Sequence, residues 1–249
     1  MNHNTFRDGA HSVLVTPFKD TNDLEVDYNA LKDWLNFQNK SSVSGIVLLG
    51  TTSESPTLSR EEQFEIVKFV HTHNKGKYIT VGVGGNNSKE TLDFARKCVD
   101  FCDAFMVTVP HYNKPTQAGI LKHFQYICND IYLANKAVIM YNVPSRTGVN
   151  AEPNTITEIV KSCPSMVAIK EASGSMDQVI NIITKCPHLK IFSGDDKLIP
   201  CMMALGARGV ISVASNVFPD MISDLAKMWL REGVNMKALF SKYYSSRIP

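Results

Sequence analysis

Along these 249 residues, eight short apolar, β-branched runs alternate with eight longer segments of helical period, which predicts an α/β protein closed into a barrel. The runs are nearly continuous in Val, Ile and Leu, as parallel strands are when both faces of the sheet are covered. The length and the 44% hydrophobic content suit one domain with a sizeable core. Together these observations predict a (β/α)8 barrel, the TIM barrel, over residues 1–231.

The strands are expected at Ser12–Thr16, Gly45–Leu49, Tyr78–Gly82, Ala104–Thr108, Ala137–Tyr141, Met166–Lys170, Lys190–Ser193 and Gly209–Ser212. Helical stretches are expected at Asp27–Gln38, Arg60–Asn74, Ser88–Phe101, Thr116–Leu133, Thr155–Ser162, Met176–Lys185, Lys197–Leu205 and Pro219–Arg231. Ser59 with Glu62, and Asn87 with Glu90, have the spacing at which a capping side chain and an acid three residues later satisfy the first amides of a helix. Phe64, Val67 and Val70 form an apolar stripe that faces the barrel wall. Residues 232–249 read as the start of a C-terminal helical region, with a helix near Asn235–Ser245, and the extension looks shortened.

A formal charge of +2 without basic blocks or acidic tails points to a small ligand rather than nucleic acid. Met1–Ala10 has no apolar run of signal-peptide length, and no stretch approaches the roughly 18 apolar residues of a membrane span. A cytoplasmic protein is expected. The cysteines Cys98, Cys102, Cys128, Cys163, Cys186 and Cys201 are scattered and read as reduced, buried thiols.

In such barrels the chemistry sits on the loops that follow the strands. This selects Gly50–Ser55, Pro110–Asn113, Tyr141–Gly148, Lys170–Glu171 and Ser193–Asp196. Lys170 closes an apolar run, which places its amine in the barrel mouth. Partial desolvation there disfavours the ammonium, so a neutral amine can attack a ketone and form a Schiff base. Position alone also allows a solvated lysine at a strand end. Tyr141 ends the adjacent strand, and Thr51 and Tyr112 lie on nearby loops; their three hydroxyls can both donate and accept, as a proton relay beside Lys170 requires. Tyr141 is equally readable as a core tyrosine. Arg146 offers a fork of donors matched to a carboxylate, or is a surface arginine. Asp195 and Asp196 precede a helix and read as caps or as substrate contacts.

A metal-dependent mechanism needs clustered histidines, and His3, His11, His71, His73, His111, His123 and His188 are dispersed, so no metal is expected. Gly82–Asn87 lacks the third glycine of a nucleotide-binding loop and reads as a tight turn. No serine or cysteine lies in a nucleophile elbow.

Four segments occur in order: Tyr-Asn-Val-Pro-Ser-Arg-Thr-Gly at Tyr141–Gly148, Ile-Lys-Glu-Ala-Ser-Gly at Ile169–Gly174, Ser-Gly-Asp-Asp at Ser193–Asp196 and Gly-Val-Ile-Ser-Val at Gly209–Val213. With them the chain, from about Phe6 through Phe218, resembles the dihydrodipicolinate synthase / N-acetylneuraminate lyase family of pyruvate aldolases. The resemblance implies an imine between Lys170 and pyruvate, with no other cofactor, and a pyruvate carboxylate held by Thr51 and Thr52. It implies a relay of Thr51, Tyr112 and Tyr141, with Tyr112 reaching a neighbouring subunit's site in a homodimer or homotetramer. Arg146 would hold the carboxylate of aspartate semialdehyde, and Gly194 and Ile211 would line the pocket. Arg146 and Thr51 favour the synthase branch, in the diaminopimelate route to lysine; the alternatives are N-acetylneuraminate lyase activity and a catalytically impaired binding barrel.

Three departures stand out. Ser53 replaces the glycine of the family's Gly-Thr-Thr-Gly-Glu loop; if that position is left-handed, the replacement costs on the order of 1–2 kcal/mol or shifts the loop. His111 replaces a usual aromatic, which argues against feedback by lysine although Asn86 and Glu90 match other effector positions. Family members also continue for several helices beyond the length seen here.

Overall fold

The computed structural model describes residues 5–130 and 135–232. Eight parallel strands pair in chain order and close, β8 onto β1. They are β1 (Gly9–Val13), β2 (Gly45–Leu48), β3 (Tyr78–Gly82), β4 (Ala104–Thr108), β5 (Ala137–Asn142), β6 (Met166–Glu171), β7 (Lys190–Ser193) and β8 (Gly209–Ser212). Around them lie α1 (Tyr28–Lys40), α2 (Arg60–His73), α3 (Ser88–Cys98), α4 (Gln117–Cys128), α5 (Pro144–Thr147), α6 (Pro153–Ser162), α7 (Met176–Lys185), α8 (Ile199–Ala204) and α9 (Pro219–Glu232).

Because side chains alternate along a strand, the barrel divides its apolar residues into two cores. One lies between strands and helices; the other fills the barrel with Val13, Val47, Met106, Ile139, Ala168, Phe192 and Ile211. Phe6 closes the lower end, stacked on His11 with ring centroids 4.3 Å apart. Closure depends on glycine: Gly209 adopts φ 153°, and a Cβ there would meet the Gly9 carbonyl oxygen of β1.

The expected caps form. Ser59 accepts from the Glu62 amide while Glu62 accepts from the Ser59 amide, a full capping box. Asn87 accepts from the amides of Lys89 and Glu90, and its side-chain NH2 donates to Glu90. Val67 and Val70 of the α2 stripe are buried, with Phe64 partly buried beside them.

Several boundaries differ from expectation. β1 runs over Gly9–Val13 instead of Ser12–Thr16, because Gly9–Ser12 are the residues in register with β8. Two expected helices are split: Val99–Phe101 tightens into a 3-10 turn after α3, and Asp196–Leu198 forms another before α8. The short helix α5 was not expected. Residues 131–134 and the expected Asn235–Ser245 helix lie outside the described residues. No helix among the described residues is long and apolar enough to cross a membrane.

Candidate active site

The C-terminal ends of the strands open into a cavity of about 620 Å³ lined by Thr51, Thr52, Tyr141, Arg146, Lys170 and Gly194, among others. Six of the eight site residues expected from sequence therefore meet in one place. β6 delivers Lys170: its register partner on β5 is Tyr141, so the two side chains emerge at the same height on neighbouring strands. The lysine nitrogen sits 4.2 Å from the centroid of the Tyr141 ring. Gly194, after β7, permits the close fit, since a Cβ there would lie 3.2 Å from Lys170 Cε.

Lys170 is 4% exposed. Burial lowers its ammonium from the ordinary 10.5 to about 8; the Asp196 carboxylate opposes this and the Arg146 charge adds to it. At pH 7 a group titrating near 8 is neutral in roughly one molecule in ten, against about one in three thousand for an ordinary lysine. Such an amine is both nucleophilic and able to change its proton count. The Tyr141 phenol is pushed up, by burial first, with Arg146 and a hydrogen bond to the Thr51 hydroxyl acting the other way. It therefore holds its proton at neutral pH, and Thr51 and Tyr141 line the same cavity.

The loop that presents Thr51 and Thr52 corrects one expectation. Position 53 is not left-handed: the positive φ falls on Glu54, at 54°. Ser53 is buried, donates its hydroxyl to the Leu14 carbonyl at 2.5 Å and accepts from Thr16 through its own carbonyl at 2.8 Å. The serine ties the loop to the segment after β1 instead of straining it.

Two expected residues stand elsewhere. Ile211 is fully buried in the barrel interior, beneath the cavity. Tyr112 is 83% exposed and does not line this chain's cavity; its backbone is left-handed, φ 61°, with its amide donating to the Thr147 carbonyl. The three hydroxyls thus do not meet within one chain. Asp195 acts as a cap, accepting from the Lys197 amide.

Sequence reading missed the support behind β5 and β6. Asn142 and Glu171, each following an inward-facing residue, point outward and are buried. The Asn142 amide donates to Glu171 and Asn150, at 3.0 and 2.9 Å, and Asn142 accepts from the Ala151 amide. Glu171 accepts further from Gln178 and from the Ser173 amide. Strand alternation beside Tyr141 and Lys170 was the signal that could have found them. Val213, Ala214, Val217 and Phe218, which form one wall of the cavity, carried no such signal.

Fold and site together define a β/α-barrel enzyme whose cavity loops surround a buried lysine, its titration lowered by burial, at the end of the sixth strand. The chain belongs to the dihydrodipicolinate synthetase family, whose family model matches residues 7–244. The 4-hydroxy-tetrahydrodipicolinate synthase of Endomicrobium trichonymphae is 39% identical over 234 residues, 92% of this chain and 78% of the relative. The crystal structure of dihydrodipicolinate synthase from Aquifex aeolicus superposes with a TM-score of 0.89 at 35% identity, covering 96% of this chain and 80% of that one. A structure described as a monomeric dihydrodipicolinate synthase variant has a TM-score of 0.90 at 29% identity, covering 99% and 81%.

Proposed function

We propose that this protein is a lyase that condenses pyruvate with L-aspartate 4-semialdehyde to 4-hydroxy-tetrahydrodipicolinate, in the diaminopimelate route to lysine. The observation that carries the reading is Lys170, buried against Tyr141 and poised to be neutral. Its amine attacks C2 of pyruvate; the carbinolamine loses water to leave an imine, and no other cofactor is required. Loss of a C3 proton gives an enamine, whose C3 forms the new bond to the aldehyde carbon. The substrate's own amine then attacks C2, closes the ring and releases Lys170.

Thr51 and Thr52 hold the pyruvate carboxylate. The Thr51–Tyr141 pair moves the protons that carbinolamine formation and breakdown demand. Tyr112, exposed on its own chain, completes the relay in a second copy's site, so the working unit is a homodimer or homotetramer in the cytoplasm. Arg146, which lines the cavity, takes the semialdehyde carboxylate with its planar fork; Gly194 lines the pocket, and Ile211, buried in the barrel interior, supports it from beneath.

Treatment with pyruvate and borohydride should add a covalent mass to Lys170 by peptide mapping. Arg146→Ala should keep that adduct and lose semialdehyde turnover by at least about tenfold. Absence of any adduct removes the proposal; undiminished turnover in the Arg146 variant removes that residue's role.

A further inference from the structure

Asp196 has a carboxylate that the cavity's other contacts leave half used. Its Oδ2 accepts from the amides of Val213 and Ala214, at 3.1 and 2.9 Å, which fixes the group between the loops after β7 and β8. Its Oδ1 is buried and accepts no hydrogen bond among the described residues. A carboxylate oxygen denied both water and a donor is unfavourable unless a positive charge lies nearby. The residue lines the same cavity as Lys170, and Lys170 feels its charge.

The other titratable groups around Lys170 do not fill this role. On β5 stands the neutral Tyr141, and on α5 the cationic Arg146. Asp195 caps the Lys197 amide, and both of those side chains are exposed. Glu171, next in β6, is turned away into the Asn142 and Gln178 network. Thr51 and Thr52 bring no charge.

We propose that the Asp196 carboxylate is the fixed counter-charge for the cation created when a keto acid condenses with Lys170. The inference rests on reading Lys170 as the imine-forming amine. In that step the nitrogen–carbon bond forms and the carbon–oxygen bond breaks; the oxygen departs as water, one proton is taken up, and the positive charge stays on nitrogen. A carboxylate already held by two backbone amides meets that charge without reorganising. Asp196 is therefore a positioning residue that acts through Lys170.

The test is Asp196→Asn, which keeps an oxygen for the two amides and removes the charge. Pyruvate affinity is read from pH 6 to 10, as the pyruvate concentration that gives half-maximal borohydride adduct on Lys170. Counter-charge stabilises the ammonium and the imine cation alike. Below the titration of Lys170 the two effects cancel and affinity stays at the value of the unsubstituted protein. Above it only the imine loses, so affinity falls about tenfold and the break in the profile moves about one pH unit lower. Unchanged affinity above the break overturns the inference. So does equal weakening at every pH, the behaviour of a purely structural tie. Should the amide variant not fold, Asp196→Ser, whose hydroxyl can take one amide, is read identically. No adduct in the unsubstituted protein overturns the imine reading and this inference together; an adduct with an unaltered variant profile overturns the inference alone.

Discussion

A lysine nitrogen buried in the barrel mouth is a stability liability, and the imine chemistry proposed for it gives that liability a use. Its titration falls from 10.5 to about 8 on folding, so between those values the unfolded chain binds more protons and stability rises with pH. Below about 8 the burial penalty is present in full. Lys170→Met, similar in length and uncharged, should abolish the pyruvate adduct and raise stability at pH 7 by on the order of 1–3 kcal/mol. Denaturant midpoints at pH 7 and pH 10 check this: the variant's advantage should narrow at the higher pH, and an advantage independent of pH would contradict the assigned cause. The same residue shows how sequence and chemistry relate. Lys170 was legible because it ends an apolar strand, but where it titrates is set by its burial together with the Asp196 charge, which opposes the shift, and the Arg146 charge, which adds to it, and both charges approach from other segments. Asp196 reads from sequence as a helix cap as readily as a site residue, because its amide donors, Val213 and Ala214, are seventeen and eighteen positions away.

Elements hold these residues at fixed heights, and β5 with β6 does most of that holding. The paired Tyr141 and Lys170 face inward while Asn142 and Glu171 face outward into a buried polar network that also ties in Asn150 and Gln178. Asn142→Ala would delete three hydrogen bonds, leaving the Ala151 amide without its acceptor and Glu171 with fewer donors. A loss of about 2–4 kcal/mol is expected in urea unfolding, with weaker pyruvate trapping because Tyr141 is adjacent. A loss below about 0.5 kcal/mol would mean that the network is redundant. The legible elements were those with strong local patterning: Tyr78–Gly82, Ala104–Thr108, Lys190–Ser193 and Met176–Lys185 fall where periodicity placed them. β1 did not, since Leu14, Val15 and Thr16 are better strand formers than Gly9–His11, yet the small residues are the ones that fit beside Gly209. The helix α5 is one turn long, started by Pro144 and stopped by Gly148 at φ 73°, too short for any period to reveal.

At the scale of the whole molecule, the reactive upper mouth rests on a plugged lower end, and the plug contains a histidine. His11 is fully buried within the barrel, stacked on Phe6 and edge-on to Tyr78 and Phe192, which joins β1, β3 and β7 through one aromatic cluster. Its Nε2 lies 2.8 Å from the Arg7 carbonyl, so in the neutral ring Nε2 carries the proton and donates it. Burial lowers its titration from 6.5 to about 4, and burial does the same to His123 on α4, whose Nδ1 pairs with the hydroxyl of Ser88 at the start of α3. Both rings are neutral when folded and become charged on unfolding across pH 4 to 6.5, so the unfolded state binds more protons there and stability falls as pH falls. Each full proton contributes a slope of about 1.4 kcal/mol per pH unit. The lowered carboxyls of Asp8 and Asp220 begin to matter only below about pH 4, leaving the upper window to the histidines. Urea midpoints should therefore decline steadily from pH 6.5 to 4.5. His11→Phe, which retains the stacking and removes the titration, should cut that slope by about half while His123 supplies the remainder. A slope untouched by the substitution would locate acid sensitivity outside the barrel plug, and a midpoint flat across the window would mean that neither ring is held neutral by burial.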